Sequence, residues 1–235
     1  MGAVYKRELR AYFISPIGYV FVGVFLALSG AFFSLSTLYS STTSLSSYFT
    51  YVLMSFVVLI PLLTMRLFSE ERKSRTDQLL LTSPVSLWGI CIAKFFAAFT
   101  LFGATLLVSC VNFLFIRPEH GQLNLPVAAA QLVGVLLVGA AFCALGLFLS
   151  SVTENQLIAA LSSVFAIVAM LGIGFITSDV QNTALRVTLK WFSVFDRFYT
   201  FSYGLFDFVS LFYYFSIAFV FLFLTVRVLE KRRWS

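Results

Sequence analysis

The chain has 235 residues, of which 60% are hydrophobic, 18% aromatic and only 11% charged. A water-soluble domain carries roughly 25% charged residues, so most of this chain meets lipid rather than water. The net charge is +6, but the basic residues gather between long apolar runs, which is how membrane topology is written and argues against nucleic acid as the partner.

Residues 3–14, AVYKRELRAYFI, form the first expected element. Lys6, Arg7 and Arg10 suit lipid headgroups, and Val4, Leu9, Tyr12 and Phe13 suit the interface, which describes an amphipathic elbow helix on the membrane surface. A frayed basic tail is the alternative. Pro16 separates this element from the first apolar run.

Six apolar runs lie at about 17–38, 48–67, 95–116, 127–149, 157–176 and 208–228. Each reaches the roughly 20 residues that a helix needs to cross a bilayer. None alternates polar and apolar residues as barrel strands do, so helices are expected. The first run exceeds the roughly 7–15 apolar residues of a secretion signal and reads as a span. The expected fold class is an all-α polytopic membrane protein in which residues 1–235 form one transmembrane domain.

Within the second run, Pro61 removes a backbone donor and is expected to kink the helix. The segment 68–86 comes next and carries Glu70, Glu71, Arg72, Lys73, Arg75 and Asp77. Ser74-Arg75-Thr76-Asp77 fits a capping box, and Pro84 disfavours helix at Ser83, so a short helix is expected from Ser74 to about Thr82. A helix of that length is marginal alone in water. Leu79, Leu80 and Leu81 cover a wide arc of it, and at least one points away from the membrane, toward a protein partner or this chain's own loops.

In the third run, Lys94 sits near one end, where a long side chain can snorkel to headgroups. Asn112 is polar at depth and bonds a neighbouring helix or lines a path. The fourth run carries the small pairs Ala130/Gly134, Gly139/Cys143 and Ala140/Ala144, which allow close helix approach. Cys91, Cys110 and Cys143 lie in apolar runs without metal or disulfide spacing and read as core. Between the fifth and sixth runs, residues 177–207 are rich in aromatics, including Trp191, Phe195, Phe198, Tyr199 and Phe201. This outer segment is expected to form one or two short helices re-entering the interface, as a gate, a docking surface or a lid on the last span.

Six spans put both ends of the chain on one side. That side holds twelve Lys and Arg and the other holds four. The excess marks the cytoplasmic side, with both termini and residues 68–86 on it. No phosphate-binding loop, catalytic triad motif or His/Cys/carboxylate cluster occurs, so the chain is not expected to be an enzyme or to bind a metal. The near absence of charge within the spans counts against a proton-coupled carrier.

The stretch RLFSEERKSRTDQLLLTSPVS resembles the intracellular coupling segment of ABC type 2 permeases, especially the gliding-motility-type subunits. Glu70, Glu71 and Arg72 match its Glu-Glu-Arg run, and Ser74 and Thr76 its turn. Leu79 to Leu81 match its helix, and Ser83 to Ser86 its ending. Arg75 stands where that family commonly has Gly, which implies an ordinary helical start, and Gln78 stands where it commonly has Glu. KRELRAYFISPIGY resembles the family's elbow, FSVFDRFYTFSYGLFD its outer hairpin, and LTVRVLEKRRW its exit from the last span.

The resemblance implies a docking surface for a cytosolic ABC ATPase. It comprises Glu70, Glu71, Arg72, Ser74, Arg75, Thr76, Gln78, Leu79, Leu80, Leu81 and Pro84. Two ATPases and a second permease copy, or a related permease, complete such a complex in a bacterial inner membrane. ATP and magnesium belong to the ATPase, and no cofactor is expected in this chain. The implied function is export or conformational work driven by ATP hydrolysis. A membrane scaffold that transmits motion without a substrate, or an ATP-independent channel or carrier, are the other readings.

Overall fold

The computed structural model describes residues 2–39, 44–75, 86–116, 124–177, 186, 190–191, 193–205 and 207–234. Among them there is helix and no strand. α1 (Gly2–Ile14) is followed by α2 (Pro16–Phe33), which closes in a π-helical turn over Ser34–Leu38. Pro16 opens α2, where a missing amide costs nothing. α3 (Ser46–Thr64) continues through Pro61, whose carbonyl still accepts the Met65 amide at 2.9 Å. A turn leads to the short α4 (Ser69–Lys73). Then come α5 (Leu87–Ser109), tightening into a 3-10 turn over Cys110–Phe115, α6 (Leu125–Val152) and α7 (Gln156–Thr177). α8 (Val194–Ser202) and α9 (Phe208–Trp234) complete the order.

Six of these stretches are long and apolar enough to cross a membrane: Pro16–Leu38, Ser46–Lys73, Leu87–Phe115, Leu125–Val152, Gln156–Phe175 and Phe208–Arg233. They match the six expected runs, with three boundaries moved: the second stretch runs on through α4 to Lys73 rather than ending near Leu67. The third span starts at Leu87 rather than near Phe95, because the Ser86 hydroxyl caps it by accepting the Gly89 amide at 3.2 Å. The sixth helix runs to Trp234 rather than ending near Val228, and its last turn carries Lys231, Arg232 and Arg233. Cations there complement the free carbonyls of a helix end.

The second, third and fourth spans form the interior, with 61% of each apolar window buried, against 28% for the first, fifth and sixth. α6 is the axis and packs against α3, α5, α7, α8 and α9. Its small residues admit knobs from its neighbours. A Cβ on Gly139 would lie 2.2 Å from the Phe102 ring of α5, one on Gly146 would lie 2.1 Å from Thr64 of α3, and one on Gly134 would lie 3.0 Å from Phe201 of α8. Close approach of this kind replaces the hydrophobic drive that lipid does not supply. The small pairs of α6 thus serve packing inside the chain. Cys91 and Cys143 are buried and Cys110 is half-buried, all as free thiols.

Asn112 bonds a neighbouring helix. Its amide donates to the Ser29 hydroxyl at 3.1 Å, and Ser29 lies 2.8 Å from the Tyr48 hydroxyl, which reaches Ser109 at 3.3 Å. This relay ties α2, α3 and α5 together and gives each of its four side chains a hydrogen-bond partner.

Candidate functional site

A dense polar arrangement lies where α1, α4 and the start of α5 meet. Lys94 projects from the second turn of α5 and its side chain is 1% exposed. It donates to the Leu67 carbonyl at 2.7 Å and lies 3.0 Å from Glu71 and 3.1 Å from Glu8, with its ammonium 5.0 Å from the centre of the Phe68 ring. Arg7 reaches the same two carboxylates at 2.7 Å each. Two cations and two anions from three elements thus form a neutral group. A buried charge is expensive unless paired in this way.

Lys94 therefore does not snorkel to headgroups as expected. Lipid offers an ammonium less than two carboxylates and a carbonyl do. Tyr12 departs in the same direction. The sequence places it in the interface, but it is buried in the protein, donates to the Leu63 carbonyl at 2.9 Å, and lies under the Arg66 guanidinium at 5.3 Å. Burial pushes its phenol well above the ordinary range. The Arg7 guanidinium is held above its ordinary value chiefly by its bond to Glu8, with Glu71 adding to it. Arg66 also donates to the Ser15 hydroxyl and pairs with Glu70 at 3.3 Å. The α1 helix is thereby fastened to α3, α4 and α5, and its Tyr5 hydroxyl reaches Thr100 at 3.1 Å.

A second set of ties converges on the end of α6. The Ser150 hydroxyl accepts the Phe68 and Ser69 amides at 3.1 and 3.2 Å and donates to the Met65 carbonyl at 3.0 Å. This one side chain satisfies the turn between α3 and α4. Arg72 donates to the Val152 carbonyl at 2.7 Å and pairs with Glu154 at 2.6 Å. Arg232 of α9 donates to the Ser151 carbonyl and to that of Val152 at 3.5 Å. Arginines from two elements thus hold the last carbonyls of one helix, where its dipole favours cations.

The residues expected to meet an ATPase divide into engaged and exposed sets. Glu71 and Arg72 are half-buried and engaged within the chain, whereas Glu70, Ser74 and Arg75 are exposed. Ser74 is the C-cap of α4, with its hydroxyl donating to the Glu70 and Glu71 carbonyls at 2.9 and 3.2 Å. Arg75 has φ +55° and its amide donates to Arg72 at 3.1 Å. It does not make the ordinary helical start expected of a non-glycine. It takes the left-handed geometry that glycine favours and ends a helix with it. Thr76, Gln78, Leu79, Leu80, Leu81 and Pro84 lie outside the described residues.

In the outer segment, Phe198 and Phe201 are fully buried, Phe195 stacks on Phe175 with ring centres 5.3 Å apart, and Trp191 and Tyr199 face outward. α8 begins at Ser193, whose hydroxyl accepts the Asp196 amide at 3.1 Å. Tyr214 of α9 donates to the Val194 carbonyl at 2.8 Å, and Arg197 lies 4.5 Å from the Tyr213 ring centre, so α8 is seated on the last span.

Sequence reasoning missed Glu8, Ser150 and the role of Lys94. One signal was present: a lysine inside an apolar run needs a carboxylate, and two glutamates lie in neighbouring elements.

The fold and its tied polar end define a multi-pass helical membrane component whose α1 and α4 pole is built from several elements. A family model described as "ABC-2 family transporter protein" matches residues 31–230, and the chain belongs to that family. It is thus a permease component of an ABC-type system, a family that works with an ABC ATPase in a lipid membrane. No curated protein matches the sequence. Among the described residues, no group of His, Cys, Asp or Glu could hold a metal ion.

Proposed function

We propose that this chain is the permease subunit of an ABC type 2 exporter-like complex of the gliding-motility type, and that residues 68–86 couple ATP hydrolysis in a separate cytosolic ATPase to movement of the spans. The pole bearing α1 and α4 then faces the cytoplasm of a bacterial inner membrane, and α8 with Trp191 and Tyr199 faces outward as a gate or docking element.

One observation carries this reading. The five residues of α4 are bonded to α1 and α5 through Glu71, and to the end of α6 through Arg72. The α6 end in turn holds Arg232 of α9. A displacement of α4 therefore loads four other elements directly or through one intermediate. Packed cores shift between discrete arrangements rather than yielding gradually, so such a load moves helices as bodies. Charged side chains of the described spans lie at their ends, which suits an amphipathic or lipid-like substrate, or conformational work without one.

The test is copurification of the full-length chain with its ATPase. Leu79→Asp with Leu80→Asp abolishes the association or uncouples ATP turnover. An unchanged complex with unchanged coupled activity would sink the reading.

A further inference from the structure

The ion pairs sort the charges of the α1 and α4 pole unevenly. Its described carboxylates are Glu8, Glu70, Glu71, Glu154 and Glu230, and each is paired within the chain. Among the described residues, no carboxylate pairs with Lys73 or Arg75, and both are exposed at the tip of α4. Lys73 also lines a hollow of about 460 Å³, together with Glu154, Asn155, Gln156 and Leu157. The turn between α6 and α7 thus supplies the wall opposite α4. Asp77 lies outside the described residues.

Arg75 adds an independent observation. Its backbone is left-handed, with φ +55°, a geometry that strains a side-chain-bearing residue and that glycine holds without strain. The turn itself therefore gives no reason for an arginine there.

We propose that Lys73 and Arg75 dock against carboxylates on the ATPase, and that the turn at Glu154 and Asn155 forms the second wall of that contact. The inference rests on the permease reading above. It adds the chemistry of the partner surface, which is acidic where it meets α4, and a second contact element outside residues 68–86. A protein surface fits better than lipid headgroups. Lys73 lines a concave hollow whose far wall carries Asn155 and Gln156, with side-chain amides that can bond a peptide backbone. Headgroups need only an open basic face, and Lys6 and Arg10, both exposed on α1, offer one.

The experiment uses the full-length chain with the ATPase that copurifies with it, recognised by its own nucleotide-binding motif and ATP turnover. Retention is measured from about 0.1 M to about 1 M salt, over which the screening length falls from about 10 Å to about 3 Å. Lys73→Glu with Arg75→Glu lowers retention about tenfold at the lower salt and flattens its salt dependence, because charges at a contact rim act through steering and long-range attraction. Lys73→Gln with Arg75→Gln gives an intermediate loss, and Lys6→Glu with Arg10→Glu gives none. Each variant alone melts as the parent does, which separates a lost contact from a lost fold. A photo-crosslinking residue at position 155 labels the ATPase.

Retention that ignores the charge reversal, while the Leu79 and Leu80 variant loses the ATPase, overturns the charge contact and leaves the permease reading standing. Absence of crosslinks at 155 in a retained complex overturns the second wall. A defect equal in the Lys6 and Arg10 variant, with retention by the parent chain requiring phosphatidylglycerol, assigns these bases to the membrane and overturns the proposal. If the parent chain retains no ATPase at any salt, the permease reading falls and this inference with it.

Discussion

The Lys94 ammonium lies 3.0 Å from the Glu71 carboxylate, with the lysine side chain 1% exposed. The two residues belong to α5 and α4, and the segment between them is the one expected to meet an ATPase. The pair therefore spans the base of that segment like a clasp, with Glu8 and Arg7 of α1 as its other half.

Lys94→Met leaves Glu8 and Glu71 with Arg7 as the one remaining cation of the group. Breaking a buried pair by removing one partner typically costs about 3–5 kcal/mol. Thermal unfolding of the detergent-solubilised chain is expected to show a loss of about 3 kcal/mol. The double variant Lys94→Met with Glu71→Leu recovers part of it, because no buried charge is then stranded at position 71. A single variant as stable as the parent would show that the cluster is solvated.

Gly139→Ala drives a methyl group to 2.2 Å from the Phe102 ring. Overpacking of this kind costs about 1–3 kcal/mol. Phe102→Leu in the same chain restores part of the loss by making room. Gly172, where a Cβ meets nothing within 4 Å, accepts alanine with no loss of stability. Melting temperatures of the parent and these variants check the whole set.

Arg75→Gly is expected to leave stability within about 1 kcal/mol of the parent, since relief of the left-handed strain offsets the greater freedom of the unfolded chain. Arg75→Val lowers it by about 1–2 kcal/mol, because a β-branched residue tolerates that geometry least. Denaturant midpoints distinguish the two. Equal losses would place the turn in another conformation.

Asp207 caps α9, accepting from the Val209 amide at 3.0 Å, the Ser210 amide at 3.2 Å and the Ser210 hydroxyl at 2.7 Å. These bonds, the Ser210 hydroxyl first, hold its carboxyl below the ordinary value of 3.8. A group depressed on folding stabilises above its unfolded pKa, and that contribution is lost as pH falls through the folded one. The stability of α9 is therefore flat near neutral pH and falls below about pH 4. Asp207→Asn, which keeps an acceptor but does not titrate, removes Asp207's share of that slope. Hydrogen exchange at the start of α9 between about pH 5 and pH 3 reads it directly. A slope unaltered by the substitution would assign the pH response to another group.

Where the signal was local, the sequence was readable. Span existence, span order and the small residues of α6 all rest on composition and spacing within one stretch. The boundary at Leu87 was hidden because Ser86, read as the close of one segment, is the cap that opens the next. The aromatics of 191–206 read as one cluster in the sequence. In the fold, Phe198 and Phe201 turn into the bundle while Trp191 and Tyr199 turn out. A helical face decides that, and it depends on which side meets Gly134 of α6.

By itself the sequence determined that this chain lives in a bilayer, crosses it six times and concentrates its charge at one pole. Hydrocarbon leaves a backbone no choice but continuous helix, and each run declares its own length. Only the tertiary structure decided which charges stay free. Glu8, Glu71 and Lys94 are far apart along the chain, and their pairing depends on α1 lying against α5 with α4 folded beneath it. The same packing consumes Arg7, Arg66 and Arg72 and leaves Lys73 and Arg75 at the surface. Burial makes an unpaired charge costly, so the geometry of three helices selected the partners that no spacing in the sequence could name.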